Sequence, residues 1–305
     1  MLNIVDLSKK IKNKQIIDSA NLTIEKGRVF GVFGSENSGK TTLLRIILGV
    51  IKADSGNIIY NDSKFIPQNT NISYLPQKSG LYYDMKVYTQ LKLLCSLKKM
   101  PKKDIDKNIK YWLKKFKIEE LKNEKYNNIS RENQQKIKLI ALLIDNPDII
   151  ILDEPFRSIG FIGIYELKSI LQELKEVGKI ILIASEYLNY IEVICDDIAF
   201  MYNGILKDYG SIEGLIKSNS YNKISIKVKN CKDVNKIIGN LLSVKKIISV
   251  CEDEIIIELT EGNNIEDLIK DLFNKGVTFT SIGSIKKSLE NIYMEEFRKE
   301  LTNNV

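Results

Sequence analysis

Histidine is absent from all 305 residues. Imidazole is the side chain whose charge ordinarily changes near neutral pH and a common metal ligand, so histidine bases, histidine switches and histidine metal sites are excluded at once. Cysteine is scarce. Its four copies, at positions 95, 195, 231 and 251, make no CxxC pair of metal or redox type, and reduced thiols in a cytosol are the expected state. With only 5 prolines and 17 glycines the chain is neither collagenous nor low-complexity. Long apolar runs are missing too: residues 149–152 and 180–184 fall far short of the ~20 needed to cross a bilayer, so no membrane span is expected. The N-terminus, Met1-Leu-Asn-Ile-Val-Asp, alternates apolar and polar residues and carries an acid, unlike the basic-then-apolar pattern of a secretory signal.

What remains is an ordinary globular composition, 44% hydrophobic and 28% charged. At about 150 residues per domain the length predicts two domains. The net charge of +7 favours anionic partners without choosing among ATP, lipid and nucleic acid.

Residues 27–34 form an apolar run ending in glycine, and 40–50 follow at helical spacing, which predicts a strand, a loop and a helix. Further short strands are expected at 21–24, 57–60 and 72–75. A lysine-rich stretch over 84–128 carries Ile105, Ile109, Trp112, Leu113 and Phe116 on one stripe, the pattern of a helical insertion with a basic outer face. From Asp148 the pattern alternates: a strand at 149–152, a helix lined by Ile164, Leu167, Leu171 and Leu174, then strands at 179–185 and 197–202. Apolar strands separated by helices predict a parallel sheet covered on both faces. The fold class of the first domain, residues 1–215 with its helical subdomain at about 84–145, is therefore α/β.

A polar, small-residue stretch at 210–221 marks the boundary. Beyond it the expected order is strand 223–229, helix 231–242, strands 245–250 and 254–260, helix 264–274, strand 277–284 and helix 287–301. That order suggests a small α+β domain over 216–305, a split βαβ sandwich plus one helix.

Gly34-Ser35-Glu36-Asn37-Ser38-Gly39-Lys40-Thr41, followed by Thr42, satisfies G-x-x-x-x-G-K-[ST] between a strand and a helix. Backbone N–H groups of such a loop and of the helix N-terminus converge on one point and cradle phosphate. Lys40 is placed to pair with the outer phosphates, and the Thr41 hydroxyl to meet Mg²⁺. A second requirement is a carboxylate at the end of a buried strand. Asp153 and Glu154 follow 149–152, the first suited to Mg²⁺ through water and the second to polarising an attacking water. Together the two motifs describe a P-loop NTPase.

Over about its first 210 residues the chain resembles the ATP-binding subunit of an ABC transporter. The resemblance implies that Gln77, in Tyr74-Leu-Pro-Gln77, contacts Mg²⁺ or water and senses a membrane partner. It also implies that 130–136 is the signature segment, with Ser130 approaching nucleotide on an opposite subunit, and that Ile11 stands where the family stacks an aromatic on adenine. The tail, with Ser288-Leu-Glu-Asn-Ile-Tyr, resembles the extension of antibiotic-export and multidrug-type subunits.

Departures carry physical consequences. Ile11 offers apolar contact but no π-face. Asn37 replaces a glycine, and asparagine is the non-glycine residue that best tolerates left-handed backbone. Glu36 brings an acid beside the phosphates. In Ser130-Arg131-Glu132-Asn133 the two glycines of the family are gone, so side chains obstruct close backbone approach, while Ser130 with Glu132 also reads as a helix N-cap and first turn. Gly160 takes the place of an interfacial aspartate. Glu186 stands at the switch position, where an anion cannot act as histidine does.

What the resemblance implies is an ATPase with ATP and Mg²⁺ as ligands, cytoplasmic and peripheral on the inner face of the cell membrane. Such a subunit drives export through an integral membrane permease on a separate chain, as a homodimer or as a heterodimer with another ATP-binding subunit. The departures predict slow or partner-dependent hydrolysis. They leave open a non-catalytic module that dimerises on nucleotide, or the degenerate half of a heterodimer. With no basic-aromatic reading element, nucleic acid is not an expected partner.

Overall fold

The first structural element is one that period analysis passes over. In the computed structural model, β1 (Leu2–Ile11) and β2 (Lys14–Ile24) pair antiparallel, burying Leu2, Ile4 and Leu7 from one strand and Ile17, Ala20, Leu22 and Ile24 from the other. Lys12 and Asn13 close the hairpin with φ of 47° and 63°, the left-handed pair a two-residue turn requires. The sequence reading places a strand only at 21–24, because the turn contains no glycine. The structure describes residues 1–77, 80–157, 159–219, 223–228, 231–260, 262–285 and 288–303. They divide into two compact units, Met1–Ile212 and Glu213–Val305.

In the first unit the chain continues through β3 (Arg28–Phe33), α1 (Lys40–Ile47), β4 (Ser55–Tyr60), β5 (Ser63–Lys64) and β6 (Ile72–Leu75). The helices α2 (Val87–Leu97), α3 (Lys102–Lys115) and α4 (Arg131–Leu143) form the insertion, and α3 buries Ile105, Ile109, Trp112 and Leu113 on one face. Then come β7 (Ile149–Asp153), α5 (Phe161–Glu176), β8 (Ile180–Ser185), α6 (Leu188–Ile194), β9 (Asp197–Tyr202) and β10 (Ile205–Ser211).

The ten strands run in the order β5-β4-β1-β2-β10-β9-β3-β8-β7-β6. Every residue of β7, β8 and β9 is buried, as parallel strands covered on both faces must be. The expected parallel sheet is formed by β6, β7, β8, β3 and β9, and β10 also pairs parallel with β2. β1 is antiparallel to β2 and to β4, and β4 to β5, while β10 is antiparallel to β9; the tight turns joining β1 to β2 and β9 to β10 permit no other pairing of those strands. The helix beginning at Lys40 ends at Ile47, short of the expected residue 50.

After α7 (Ile212–Asn219) the second unit comprises β11 (Lys223–Lys227), α8 (Cys231–Ile238), β12 (Val244–Val250), β13 (Glu254–Leu259), α9 (Ile265–Asn274), β14 (Ser281–Ser284) and α10 (Leu289–Asn303). Its antiparallel sheet, β12-β13-β11-β14, packs Ile224, Ile226, Ile255 and Ile257 against Leu268 and Leu272. The polar stretch expected to mark the boundary carries helix over 212–219. α8 stops four residues early, and the strand expected from 277 starts at 281, because Val277 turns into the core after α9 instead of joining the sheet. Asn264, expected inside α9, caps it in a reciprocal box with Asp267. Residue 229 of the expected strand and residue 287 of the last helix lie outside the described residues. Among the described residues no helix is long and apolar enough to cross a membrane.

Asn203 and Gly204, at φ 44° and 88°, turn β9 into β10. The Gly204 N–H donates to Ser38 O at 2.9 Å, and its carbonyl accepts from Asp18 N at 2.9 Å. A Cβ on Gly204 would lie 2.5 Å from Ile16 O. Gly204→Ala is therefore expected to cost about 1–3 kcal/mol through left-handed strain and this clash. Urea unfolding measures it, and a cost near zero would show that the turn can move away from β2.

Candidate active site

Three strand exits meet at one end of the parallel block. β3 leads into the glycine loop, β7 ends at Asp153 and β8 at Ser185, with Phe33 opposite Ser185 and Asp153 opposite Ala184. Gly34 N–H donates to Ser185 O at 3.3 Å and Glu154 N–H to Ala184 O at 2.9 Å, so the loop and the acidic pair are fixed to the same strand. Open α/β sheets place ligands at this end.

The loop turns through Asn37 at φ 63°, the left-handed conformation foreseen for asparagine there. Gly39, at φ 113°, starts α1, and a Cβ on it would lie 2.7 Å from Ile16 O. Lys40 is buried, and its ammonium donates to Gly34 O at 2.7 Å and Ser35 O at 2.8 Å. Burial pushes its pKa down, while Glu154, Glu186, Asp153 and Glu36 pull it back up.

Asp153 is buried at the foot of the site. Its Oδ2 accepts from Thr41 Oγ1 at 3.0 Å and from the Tyr74 hydroxyl at 3.0 Å. Burial, then the Asp153 charge, drives the Tyr74 pKa upward, so this phenol is a donor. Glu154 is held at φ 52° with Oε2 accepting from Ser185 Oγ at 3.1 Å. Burial raises its pKa against the pull of the Glu186 backbone N–H and Lys40.

Beside Glu154 sits a cluster that sequence reasoning did not assemble. Arg157 Nη2 donates to Glu186 Oε1 at 3.0 Å. The Gln77 amide, oriented by its partners, accepts with Oε1 from Nη1 at 3.0 Å and Nη2 at 3.1 Å of the same guanidinium. At the switch position Glu186 therefore acts as an acceptor paired with a cation.

These residues line a cleft of ≈ 390 Å³. Glu36, Asn37, Ser38, Gly39, Lys40, Thr41 and Thr42 line it from the loop and α1, Gln77, Glu154, Arg157 and Glu186 from the segments after β6, β7 and β8, and Ile11 from the β1 hairpin beside Lys14 and Ile16. Gly34 and Ser35 serve it through the carbonyls that hold Lys40. Ser130 lies outside this lining. It caps α4, with Oγ accepting from Asn133 N at 3.2 Å, which is the N-cap reading of the signature segment. Gly160 starts α5 in the same capping role without a side chain. Tyr74 and Arg157 are the functional candidates that the motifs missed. Tyr74 alternates with buried Ser73 and Leu75 on a strand beside β7, a signal that reaches Asp153 only once the strand order is known.

A family model described as ABC transporter matches residues 17–157. An uncharacterized ABC transporter ATP-binding protein of Methanocaldococcus jannaschii is 35% identical over 88% of this chain and 98% of its own length. The chain belongs to the ATP-binding proteins of ABC transporters. A lantibiotic transport ATP-binding protein of Streptococcus pyogenes is 28% identical over 70% of this chain and 94% of its own. A dimeric post-hydrolysis ATP-binding cassette bound to ADP and Pi superposes with a TM-score of 0.61 at 21% identity, covering 68% of this chain and 98% of that one, which shows the shared fold. The chain is thus the ATP-binding subunit of a transporter in the ABC ATPase family.

The cleft fits Mg²⁺ as well as phosphate. Asp153 Oδ1 is buried with no hydrogen-bond partner beside the Thr41 hydroxyl, leaving a hard oxygen donor unsatisfied. Among the described residues no group of three or more cysteine, aspartate or glutamate side chains could hold a metal ion. A cation here would take one carboxylate, a hydroxyl and substrate oxygens, the manner of Mg²⁺.

Because folding raises the Glu154 pKa above its ordinary value, the native protein holds this proton more tightly than the unfolded chain, and stability from the group is lost as pH rises through the raised value. Glu154→Gln mimics the protonated form. In buffer free of metal and nucleotide it is expected to be more stable than the parent at neutral pH, with the advantage vanishing as pH falls to about 4. Urea midpoints across that range test the sign, and a gain independent of pH would contradict it.

Proposed function

We propose that the chain binds Mg²⁺ and ATP in this cleft and hydrolyses ATP slowly, driving export through an integral membrane permease on a separate chain. The observation that carries the reading is the gathering of Lys40, the Thr41–Asp153 pair and Glu154 at neighbouring strand exits. Gly34 to Thr42 would cradle the phosphates, with Lys40 on the outer ones. Thr41, Gln77 and Asp153 would hold Mg²⁺, which when bound supplies charge neutralisation at the outer phosphate oxygens. Glu154, made a better base by burial and steadied by Ser185, would accept a proton from the attacking water. Ile11 would give adenine an apolar edge.

Slow turnover follows from two features. Glu186 is an acid tied to Arg157, and Ser130 Oγ is engaged by its own helix. The Ser130 cap favours a second reading, in which this chain pairs with a different ATP-binding subunit whose signature segment serves the site described here. As a partner of a permease, either pair would sit on the inner face of the cell membrane. Export of a peptide antibiotic is the cargo class suggested by the lantibiotic relative.

Purified alone, the chain is expected to turn over ATP well below the ~10 s⁻¹ typical of enzymes. Glu154→Gln is expected to lower that rate by roughly 10²-fold or more while retaining nucleotide, and Lys40→Ala to lose nucleotide. Phosphate release and calorimetry read the two effects. Undiminished hydrolysis by Glu154→Gln would remove the proposed base.

A further inference from the structure

The cleft carries more acid than an anion site requires. Glu36, Glu154 and Glu186 all line it, and Asp153 lies behind Thr41, to whose hydroxyl it is bonded. A third phosphate group arriving there meets like charge unless a cation answers it. Lys40, held by two loop carbonyls, meets the outer phosphates from the loop side only, and Lys14 lies on the hairpin side with Ile11 and Ile16. Among the described residues that line the cleft, the cation paired with one of these acids is Arg157.

Arg157 is held in a form suited to exchange. Its guanidinium bridges the Glu186 carboxylate and the Gln77 amide oxygen, so the segment after β7, the segment after β8 and the segment after β6 are tied through one side chain. The ion pair is open to solvent, with 43% of the Arg157 side chain and 28% of the Glu186 side chain exposed. Exposed pairs of this kind are weak, on the order of 0–1 kcal/mol. A planar fork of N–H donors fits phosphate oxygens in the same two-pronged manner as it fits a carboxylate, and a phosphate bears more charge than Glu186.

We infer that Arg157 is the residue by which this chain distinguishes ATP from ADP, leaving Glu186 for the terminal phosphate when the triphosphate is bound and returning to it when the phosphate is lost. The assignment rests on the reading of the cleft as a Mg·ATP site. Glu186 then acts as the resting partner of a mobile cation, and Gln77, on the segment leading to the helical insertion, is released at the same moment. The ion pair thereby links the number of phosphates to the hydrogen bonding of Gln77.

Calorimetry on the full chain with Mg²⁺ and either ADP or the β,γ-imido analogue of ATP tests this. Arg157→Ala is expected to weaken the analogue roughly tenfold or more, the effect of losing a charged hydrogen bond, with ADP affinity changed less than about twofold. Arg157→Lys should recover only part of the loss, because a point charge replaces the fork. Glu186→Gln should tighten the analogue and leave ADP alone, and that gain should fall by roughly threefold or more when Arg157 is also replaced by alanine. Equal effects of Arg157→Ala on the two nucleotides, or no effect on either, would overturn the inference. So would a Glu186→Gln gain that survives intact without Arg157, since the acid would then merely repel. A parent chain that binds neither nucleotide would overturn the reading of the cleft itself, and this inference with it.

Discussion

Two backbone hydrogen bonds to the end of β8 set the geometry of everything around the cleft. Ala184 O takes the Glu154 N–H and Ser185 O takes the Gly34 N–H, so the phosphate loop and the acidic pair are spaced by a strand register rather than by side-chain packing. Parallel strands buried on both faces cannot slip by one residue without turning a whole row of isoleucines away from its neighbours. The apolar runs of β7 and β8 therefore do more than fill a core. They fix where a buried lysine and a buried glutamate face each other, and the burial that moves both pKa values comes from the same packing.

Polar groups in this centre are shared sparingly. Asp153 uses one oxygen for two hydroxyl donors and leaves the other without a partner, while Lys40 is satisfied by carbonyls that carry no net charge. A buried ammonium solvated by neutral dipoles keeps its attraction for an incoming anion, which a carboxylate partner would have cancelled. The wall around Glu186 follows the opposite logic, since there a cation and an acid neutralise each other at the surface.

Much of this was legible in the amino-acid order, and the limits are physical. The continuous runs 149–152 and 180–184 are unambiguous because both faces of each strand are covered, and the loop from Gly34 to Thr41 is unambiguous because phosphate cradling demands residues of those kinds at that spacing. β1 and β2 escaped because their turn, Lys12-Asn13, reaches left-handed backbone without glycine. β10 had a visible signal in Asn203-Gly204, which the strand and helix periods do not weigh. Tyr74 and Arg157 escaped for another reason: each acts on a residue far away in the chain, Tyr74 across 79 positions on Asp153 and Arg157 across 29 on Glu186. Such pairings exist only after strand order is set, and no local pattern announces them.

Gly39 and Gly204 both crowd the carbonyl of Ile16, so the β1–β2 hairpin is locked against the phosphate loop by main chain alone. The distance from the wall at Ile11 to the loop is consequently a property of the backbone, whatever side chains decorate that wall. Substitutions at positions 11 and 14 can then change what that wall presents to the cleft while the loop keeps its place.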